Sequence, residues 1–396
     1  MSAVAQPAAP LPPLRVLIVA GEASGDVYGA ALMRELRARA RRDIVFRGIG
    51  GDAMLAAGLQ AECHCDQTAV IGFVEVLRHA RFFTRLLRRM ARIAKEWRPD
   101  LLLTIDYPGF NLRLAARAHA CGIRTVHYIC PQVWIWHGSR IHTIARTIDQ
   151  LITIFPFEPA CFDPTPLRPV YAGHPLVDEA LATLAQPEAA LPWGEGHRVA
   201  LLPGSRRNEI QTLVADLAAA AVLLEQQAGA CSFIMPASSP RMRALIEAEL
   251  ARCPRLPARL AIVDGQAREV LRQAEAAAVA SGTATLEASL MRCPTILVYR
   301  TSRVSYWLLR VLLRRLQHVG LANIVSGRTV MPELLQDNLN PRRLADGLAA
   351  YLTQPAIRAQ ALADLDAVNA LLGKGGAAAA AARLILDALP TSRSEA

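Results

Sequence analysis

Several short polar segments interrupt this chain where a carboxylate or an anion site could do chemistry. The apolar run Leu101–Ile105 ends in Asp106-Tyr107-Pro108-Gly109-Phe110-Asn111. An aspartate at the end of a buried strand, held by a Pro-Gly turn, is partly desolvated. Desolvation raises a carboxylate's proton affinity toward that of a general base. The same carboxylate could instead accept hydrogen bonds from the turn's own N–H groups. A second segment, Ala280-Ser281-Gly282-Thr283-Ala284-Thr285-Leu286-Glu287, sets two hydroxyls and a flexible backbone at a helix start, which suits an anion. Glu287 lies four residues past Thr283, on about the same helix face, where it can accept from vicinal ribose hydroxyls. Diphosphate at the helix start and ribose at the glutamate together describe a nucleotide-sugar site. A capping arrangement with a solvated Glu287 is the alternative.

Further along the same logic, Leu201-Leu202-Pro203-Gly204-Ser205-Arg206 closes another strand, and Arg206 can grip a phosphate through paired donors. Gly21-Glu22-Ala23-Ser24-Gly25-Asp26 follows the first strand and is not G-x-G-x-x-G, so the dinucleotide fingerprint is missing. Either the segment's small residues let the backbone approach a ligand closely while the new helix offers unpaired N–H groups, or it is a tight turn in which Ser24 or Asp26 caps that helix. The tryptophans of Cys130-Pro131-Gln132-Val133-Trp134-Ile135-Trp136-His137 are core or the walls of a bulky-ligand site. His127 reads as a core histidine, and His174 as a hinge or a ligand. Cys63-His64-Cys65 offers at most three metal ligands with no second cluster. The eight cysteines are scattered without C-x-x-C, so a reduced chain without a bound metal is expected.

The elements that must position these residues alternate. Strand-like runs at Val16–Ala20, Ile44–Ile49, Leu101–Ile105, Thr125–Ile129, Leu151–Ile154 and Pro169–Tyr171 are separated by helical stretches such as Tyr28–Ala40, Arg81–Trp97 and Leu112–Cys121. After the Pro- and Gly-rich Gln186–Gly196 the pattern restarts at Val199–Leu202, Ser232–Met235, Leu260–Val263, Ala276–Ala280 and Thr295–Tyr299. Near-continuous apolar strands between helices predict parallel sheets covered on both faces. The expected architecture is α/β: two doubly wound Rossmann-like domains facing a cleft, over 14–190 and 191–340. A disordered tail (1–13) precedes them, and C-terminal helices (341–396) follow that could pack back on the first domain. In such sheets ligands gather at the carboxyl ends of the strands, which is where the polar segments fall.

Of the 396 residues, 53% are hydrophobic and 20% charged, which excludes a disordered chain and a disulfide-stapled miniprotein. The net charge of +10 is almost all arginine, Lys95 and Lys374 being the only lysines. That suits anionic partners. Met1–Pro13 has neither the basic start nor the apolar core of a signal peptide. No uninterrupted apolar run approaches the ~20 residues that span a bilayer. Two stretches concentrate the arginines among large apolar residues. Ile71, Phe73, Val74, Val76 and Leu77 lead into Arg81, Phe82, Phe83, Arg85 and Leu86, and Val304–Leu309 leads into Arg310, Arg314 and Arg315. Such helices can lie in a membrane interface or can be ordinary amphipathic helices of a globular domain. No nucleic-acid-binding motif accompanies them, so membrane contact is expected and nucleic acid is not.

Taken together, the motifs resemble those of the lipid-A-disaccharide synthases, inverting glycosyltransferases of lipid A (lipopolysaccharide) biosynthesis. The resemblance spans Arg15 to Leu386. It is carried by AGEASGD (20–26), IGFVEVL (71–77), TIDYPGFN (104–111), HYICPQVWIW (127–136), FPFE (155–158), GHP (173–175), LLPGSR (201–206), SGTATLE (281–287) and LANIVSGR (321–328). One segment departs from the family form, which has serines where Cys130 and Gln132 stand here. The resemblance implies a GT-B fold, a donor UDP-2,3-diacylglucosamine and an acceptor 2,3-diacylglucosamine 1-phosphate (lipid X). The products would be a β(1→6) disaccharide 1-phosphate and UDP. It further implies Asp106 as general base, Arg206 with Ser281, Gly282 and Thr283 on the leaving diphosphate, and Glu287 on the ribose. Glu22, Ser24, Asp26 and Asn323 would line the active site. No cofactor or metal is implied, and the single D-x-D, Asp364-Leu365-Asp366, sits in the helical tail away from any strand end. The enzyme would sit in the cytoplasm, peripherally on the inner face of the cytoplasmic membrane. The family also admits a homodimer, which no residue pattern here indicates. A UDP-sugar epimerase or a transferase with a water-soluble acceptor is one rival reading, and a non-catalytic nucleotide-sugar binding protein is another.

Overall fold

The computed structural model describes residues 12–68, 80–134, 138–301 and 318–389. Ile71, Phe73, Val74, Val76, Leu77 and Trp136, and the Val304–Arg315 stretch, lie outside the described residues. The chain forms two compact units, Met1–Pro175 with Gly376–Ala396, and Leu176–Gly375.

The first unit is built on strands β1 (Leu14–Ala20), β2 (Ile44–Gly50), β3 (Leu59–His64), β4 (Leu101–Ile105), β5 (Arg124–Tyr128), β6 (Gln150–Thr153) and β7 (Val170–Tyr171). They form one parallel sheet in the order β3-β2-β1-β4-β5-β6-β7. Its central strands are apolar on both faces because helices cover both: in β1 only Arg15 is exposed, and every residue of β4 is buried. The register sets Ala20 beside Ile105, so β1 and β4 end level with each other. Helices α1 (Ala23–Arg39), α2 (Asp52–Ala56), α3 (Ala80–Trp97), α4 (Pro108–His119) and α5 (Ser139–Thr147) connect the strands.

Helix α3 resolves the first arginine-rich stretch. Leu86, Leu87, Met90, Ile93 and Ala94 are buried in the core of the unit, while Arg81, Arg85, Arg88, Arg92 and Lys95 are exposed along the opposite face. Leu86, at 6% exposure, is therefore core and not available to lipid. Phe82 and Phe83 are half-buried, pack on the same core and meet edge to face at 5.4 Å. The helix offers its surroundings a row of cations, not an apolar stripe.

The second unit opens with α6 (Pro175–Ala185) and carries β8 (His197–Leu202), β9 (Cys231–Ala237), β10 (Leu260–Asp264), β11 (Ala276–Ala280), β12 (Thr295–Tyr299) and β13 (Glu333–Leu335). This sheet is also parallel, in the order β10-β9-β8-β11-β12-β13. Its helices are α7 (Arg207–Ala228), α8 (Pro240–Leu250), α9 (Ala267–Gln273), α10 (Ala284–Leu290), α11 (Leu321–Ser326), α12 (Pro341–Thr353) and α13 (Pro355–Leu372).

The units divide at residue 175, ahead of the Pro- and Gly-rich segment, because that segment is bonded to the second unit. Arg268 pairs with Glu179, and Arg272 donates to the carbonyls of Thr183 (3.1 Å) and Gln186 (2.9 Å). Trp193 Nε1 donates to Gln273 (3.0 Å), and Gly194 N to Ser232 Oγ (2.8 Å).

The C-terminal helices also divide. Helix α13 stays with the second unit through Ser289–Asn369 (2.9 Å) and the two-bond pair of Arg292 with Asp366 (2.7 and 2.9 Å). Asp364 is taken by Arg328 (2.6 Å), so both carboxylates of the D-x-D serve ion pairs. The last helix, α14 (Ala377–Asp387), returns to the first unit. There Ala377, Ala381, Ala382 and Ile385 are fully buried, and Gln150 Nε2 donates to Leu384 O (3.1 Å).

Candidate active site

In the first unit the strand order reverses between β1 and β4. The chain leaves these two strands in opposite directions, and in open parallel sheets ligands gather at the carboxyl ends of the strands at such a reversal. Glu22 stands exposed at the end of β1, as the residue before α1. Asp106 and Tyr107 stand at the end of β4, and both adopt left-handed backbone conformations (φ 44° and 48°). Each such non-glycine residue costs on the order of 1–3 kcal/mol and persists only where its surroundings fix it.

Those surroundings are visible. Asp106 N donates to Tyr128 O (2.9 Å). The amide of Asn111, fully buried in the first turn of α4, donates to the carbonyls of Asp106 (2.7 Å) and Ile105 (3.1 Å) and approaches Val19 O at 3.4 Å. Asn111 Oδ1 is left buried without a partner among the described residues, at a cost of about 1–3 kcal/mol, so the amide is spent on the turn.

Electrostatics follow from this placement. Burial pushes the Asp106 carboxyl up to about 6, and the neighbouring charge of Glu22 pushes the same way against a hydrogen bond from the Tyr107 N–H. Glu158, in the turn after β6, is 1% exposed. It accepts from the N–H groups of Ile154 (3.2 Å) and Phe155 (3.0 Å). Burial raises it to about 7, with the Asp106 charge a smaller contribution. Beside it Trp134 meets Phe157 edge-on at 5.3 Å, and Phe155 stacks on Phe157 at 5.5 Å. His174 lies 5.0 Å from the Phe155 ring and is held near 4 by burial, hence neutral. Cys130 is buried, its thiol driven up by burial and by Glu158. His127 is fully buried with Nδ1 2.7 Å from Thr104 Oγ1, a core histidine as its place in the strand indicates.

Asp26 has a different job from the one its motif suggests. It is 6% exposed and accepts from the N–H groups of Gly51 (2.7 Å), Ala53 (2.9 Å) and Met54 (3.0 Å), so its carboxylate caps α2. Ser24 is exposed in the first turn of α1.

The second unit repeats the plan, its strand order reversing between β8 and β11. At the end of β8, Arg206 is exposed and pairs with Glu209 (3.0 Å), whose carboxylate also accepts from the N–H groups of Ser205 and Arg206 (3.1 Å each). At the end of β11, Gly282 has φ 149° and open space where a side chain would stand, flanked by Ser281 and the exposed Thr283. Glu287 lies 3.7 Å from Arg268; burial raises its pKa, Arg268 lowers it and Glu179 raises it. Asn323 is fully buried. Its amide donates to Met331 O and Glu333 Oε1 (2.7 Å each) and accepts from the N–H groups of Val330 and Met331 (2.8 Å each). Its polar atoms are therefore occupied by its own chain, and it shapes the loop after α11 rather than facing a ligand.

Glu158 and Asn111 were not among the site residues drawn from the sequence. Both lie in motifs that signalled importance, FPFE and TIDYPGFN, but nothing local marks either as a buried partner of Asp106.

Solved structures share this architecture. A UDP-GlcNAc 2-epimerase from Neisseria meningitidis, bound to UDP-GlcNAc, aligns with TM-score 0.65 and 12% identity over 94% of this chain and all of its own. MurG from Acinetobacter baumannii aligns with TM-score 0.57 and 12% identity over 95% of this chain and all of its own. Two parallel-sheet α/β units of this order define the GT-B fold. The family itself is shown by sequence. The model of the Lipid-A-disaccharide synthetase family matches residues 16–379. Lipid-A-disaccharide synthases from Burkholderia lata (38% identical, 88% of this chain and 90% of theirs) and Myxococcus xanthus (36% identical, 96% and 99%) align along nearly the whole chain. The chain belongs to the lipid-A-disaccharide synthase family, glycosyltransferases that form the lipid A disaccharide.

Because the Glu22 charge contributes to the raised proton affinity of Asp106, Glu22→Gln should move the Asp106 titration to lower pH. Carboxyl ¹³C NMR reads it directly. An unmoved titration would mean that the two carboxylates do not sense each other across β1 and β4.

Proposed function

We propose that the chain transfers the diacylglucosamine of UDP-2,3-diacylglucosamine to the 6-hydroxyl of 2,3-diacylglucosamine 1-phosphate. Asp106 removes the proton of that hydroxyl as its oxygen attacks the anomeric carbon on the face opposite UDP. The bond from that carbon to the diphosphate oxygen breaks, its electron pair leaves with UDP, and the configuration inverts to a β(1→6) link. The observation that carries this reading is the Asp106 carboxyl itself. It lies at the carboxyl end of β4, where the strand order reverses, in a fixed left-handed turn, with a pKa raised to about 6. A base with that value is mostly ionised near neutral pH yet keeps a useful affinity for a proton.

In the second unit, Arg206 and the strand end of Ser281, Gly282 and Thr283 would meet the negative charge that grows on the departing diphosphate. The backbone N–H groups of Gly282 and Thr283 donate to no protein acceptor among the described residues, and the space above Gly282 is open. Glu287 would hold the ribose hydroxyls, with Arg268 fixing its direction. Asn323 and Asp26 contribute by holding loops, and Glu22 and Ser24 line the acceptor side.

Acylated substrates have to be drawn from a lipid surface. Among the described residues no helix is long and apolar enough to cross a membrane. The exposed row Arg81, Arg85, Arg88, Arg92 and Lys95 would instead hold the enzyme peripherally on anionic headgroups of the inner membrane's cytoplasmic face. Each cation near such a surface is worth about 1 kcal/mol, so Arg85, Arg88 and Arg92 together supply roughly 3 kcal/mol.

Replacing those three arginines with glutamine should lower binding to anionic vesicles about a hundredfold at low salt. It should also flatten the salt dependence, and co-sedimentation equal to wild type would remove the helix from the membrane contact. The reaction is tested in mixed micelles of both acylated sugars, with products read by mass spectrometry. Disaccharide 1-phosphate and UDP should appear in equal amounts. UDP without disaccharide, or turnover of sugars lacking acyl chains at an equal rate, would overturn the substrate assignment.

A further inference from the structure

The turn that carries Asp106 is closed from one side by a residue that the reaction does not itself use. The ring of Tyr107 lies directly on Gly21, at the end of β1: a Cβ built at Gly21 would come within 2.3 Å of Tyr107 Cδ1 and 2.5 Å of Cγ. The phenol oxygen donates to the carbonyl of Thr68 (3.1 Å). The Thr68 hydroxyl is in turn 2.9 Å from the carbonyl of Gly21 and 2.8 Å from that of Cys65. Ring on glycine, phenol on threonine and threonine on glycine make a closed triangle. It ties the β4 turn to the β1 turn across the point where the strand order reverses. Thr68 is itself buried, and so are the two contacts of its hydroxyl, while the phenol bond is part-buried.

Tyr107 follows Asp106 and shares its left-handed conformation, so neither residue can relax without moving the other. Asn111 holds the carbonyl side of this turn, as described above, and the triangle holds its side-chain side. We propose that Tyr107 is a positioning residue for the reaction, with Gly21 and Thr68 as its seat, and that the triangle keeps the Asp106 carboxyl fixed and shielded where the acceptor hydroxyl must arrive. This role rests on the assignment of Asp106 as the base.

Three kinds of variant read it. Tyr107→Phe keeps the ring and loses the bond to Thr68, and Tyr107→Ala loses both. Gly21→Ala inserts a methyl where the ring sits. Gly21 is not in a left-handed conformation, so the strain falls on the ring contact. Misplacing a reacting group by about 1 Å can cost a hundredfold in rate. On that scale Tyr107→Phe should lower kcat several-fold and Tyr107→Ala by one to two orders of magnitude, with KM for both substrates changed by less than about twofold. Freed from its seat, the carboxyl should gain water, and the acid limb of the kcat–pH profile should move to lower pH. That shift is not expected from a role in stability alone. Gly21→Ala should resemble Tyr107→Ala, and the double variant should be no worse than Tyr107→Ala, because the methyl then fills the space the ring has left. Thermal unfolding of each variant accompanies the kinetics.

Tyr107→Phe with wild-type kcat and an unmoved acid limb would overturn the proposal, as would additive losses in the double variant. Asp106→Asn measured alongside separates the two readings. Undiminished turnover there would remove the base and this role together. A silent Tyr107→Phe beside an inactive Asp106→Asn would remove the positioning role alone.

Discussion

The structure depends on one constraint of parallel sheets: where the strand order reverses, two neighbouring strands send their chains away in opposite directions. In the first unit these are β1 and β4, which the register brings to the same level. Their last residues are apolar because they are buried on both faces. The next residues meet the crevice, and there the chain places Glu22 and Asp106. The proximity of the two carboxylates is thus a product of topology, since they are far apart in sequence and share no local element. Desolvation and mutual repulsion then act on Asp106 together and raise its proton affinity.

Such a position has to be held against strain. Two consecutive left-handed residues are unfavourable, and the fold meets that cost with buried hydrogen bonds rather than with glycine. Asn111 spends its amide on carbonyls of the turn, and the Tyr107 phenol reaches Thr68. The second unit uses gentler means at its own reversal: Glu209 gathers the backbone of Ser205 and Arg206, and Gly282 supplies an open left-handed position. The difference matches the chemistry proposed for each. A base has to be fixed at one point, whereas a diphosphate is met by several donors around an open space.

Much of this was legible in the sequence. The central strands were visible as apolar runs because burial on both faces leaves few polar positions, Thr104 and His127 among them, and their polar ends pointed to the carboxyl ends of the sheets. Of the four edge strands, β7 and β10 were read as short runs, but β3 and β13 were not: β3 exposes Gln60 and Ala61, and β13 is only three residues long, so neither shows the apolar run of a buried strand. Motifs indicated which residues matter and were weaker on what each does. Asp26 and Asn323 stand in family motifs, yet their polar atoms are taken up by backbone and, for Asn323, also by the Glu333 carboxylate. Glu158 is a buried acid whose neighbourhood comes from three separate strand ends, which no spacing rule reveals. Leu86 read as part of a lipid-facing stripe because an amphipathic helix has two faces, and only packing shows which one is turned inward.

The central claim is that one carboxyl at the end of β4 is the base. It is tested most directly by single-turnover formation of the disaccharide by Asp106→Asn, with UDP affinity measured on the same preparation. The account predicts that UDP binds as tightly as in wild type while disaccharide formation falls by about two to four orders of magnitude, the usual worth of a general base. Turnover near the wild-type rate would contradict it and move the base elsewhere in the first unit.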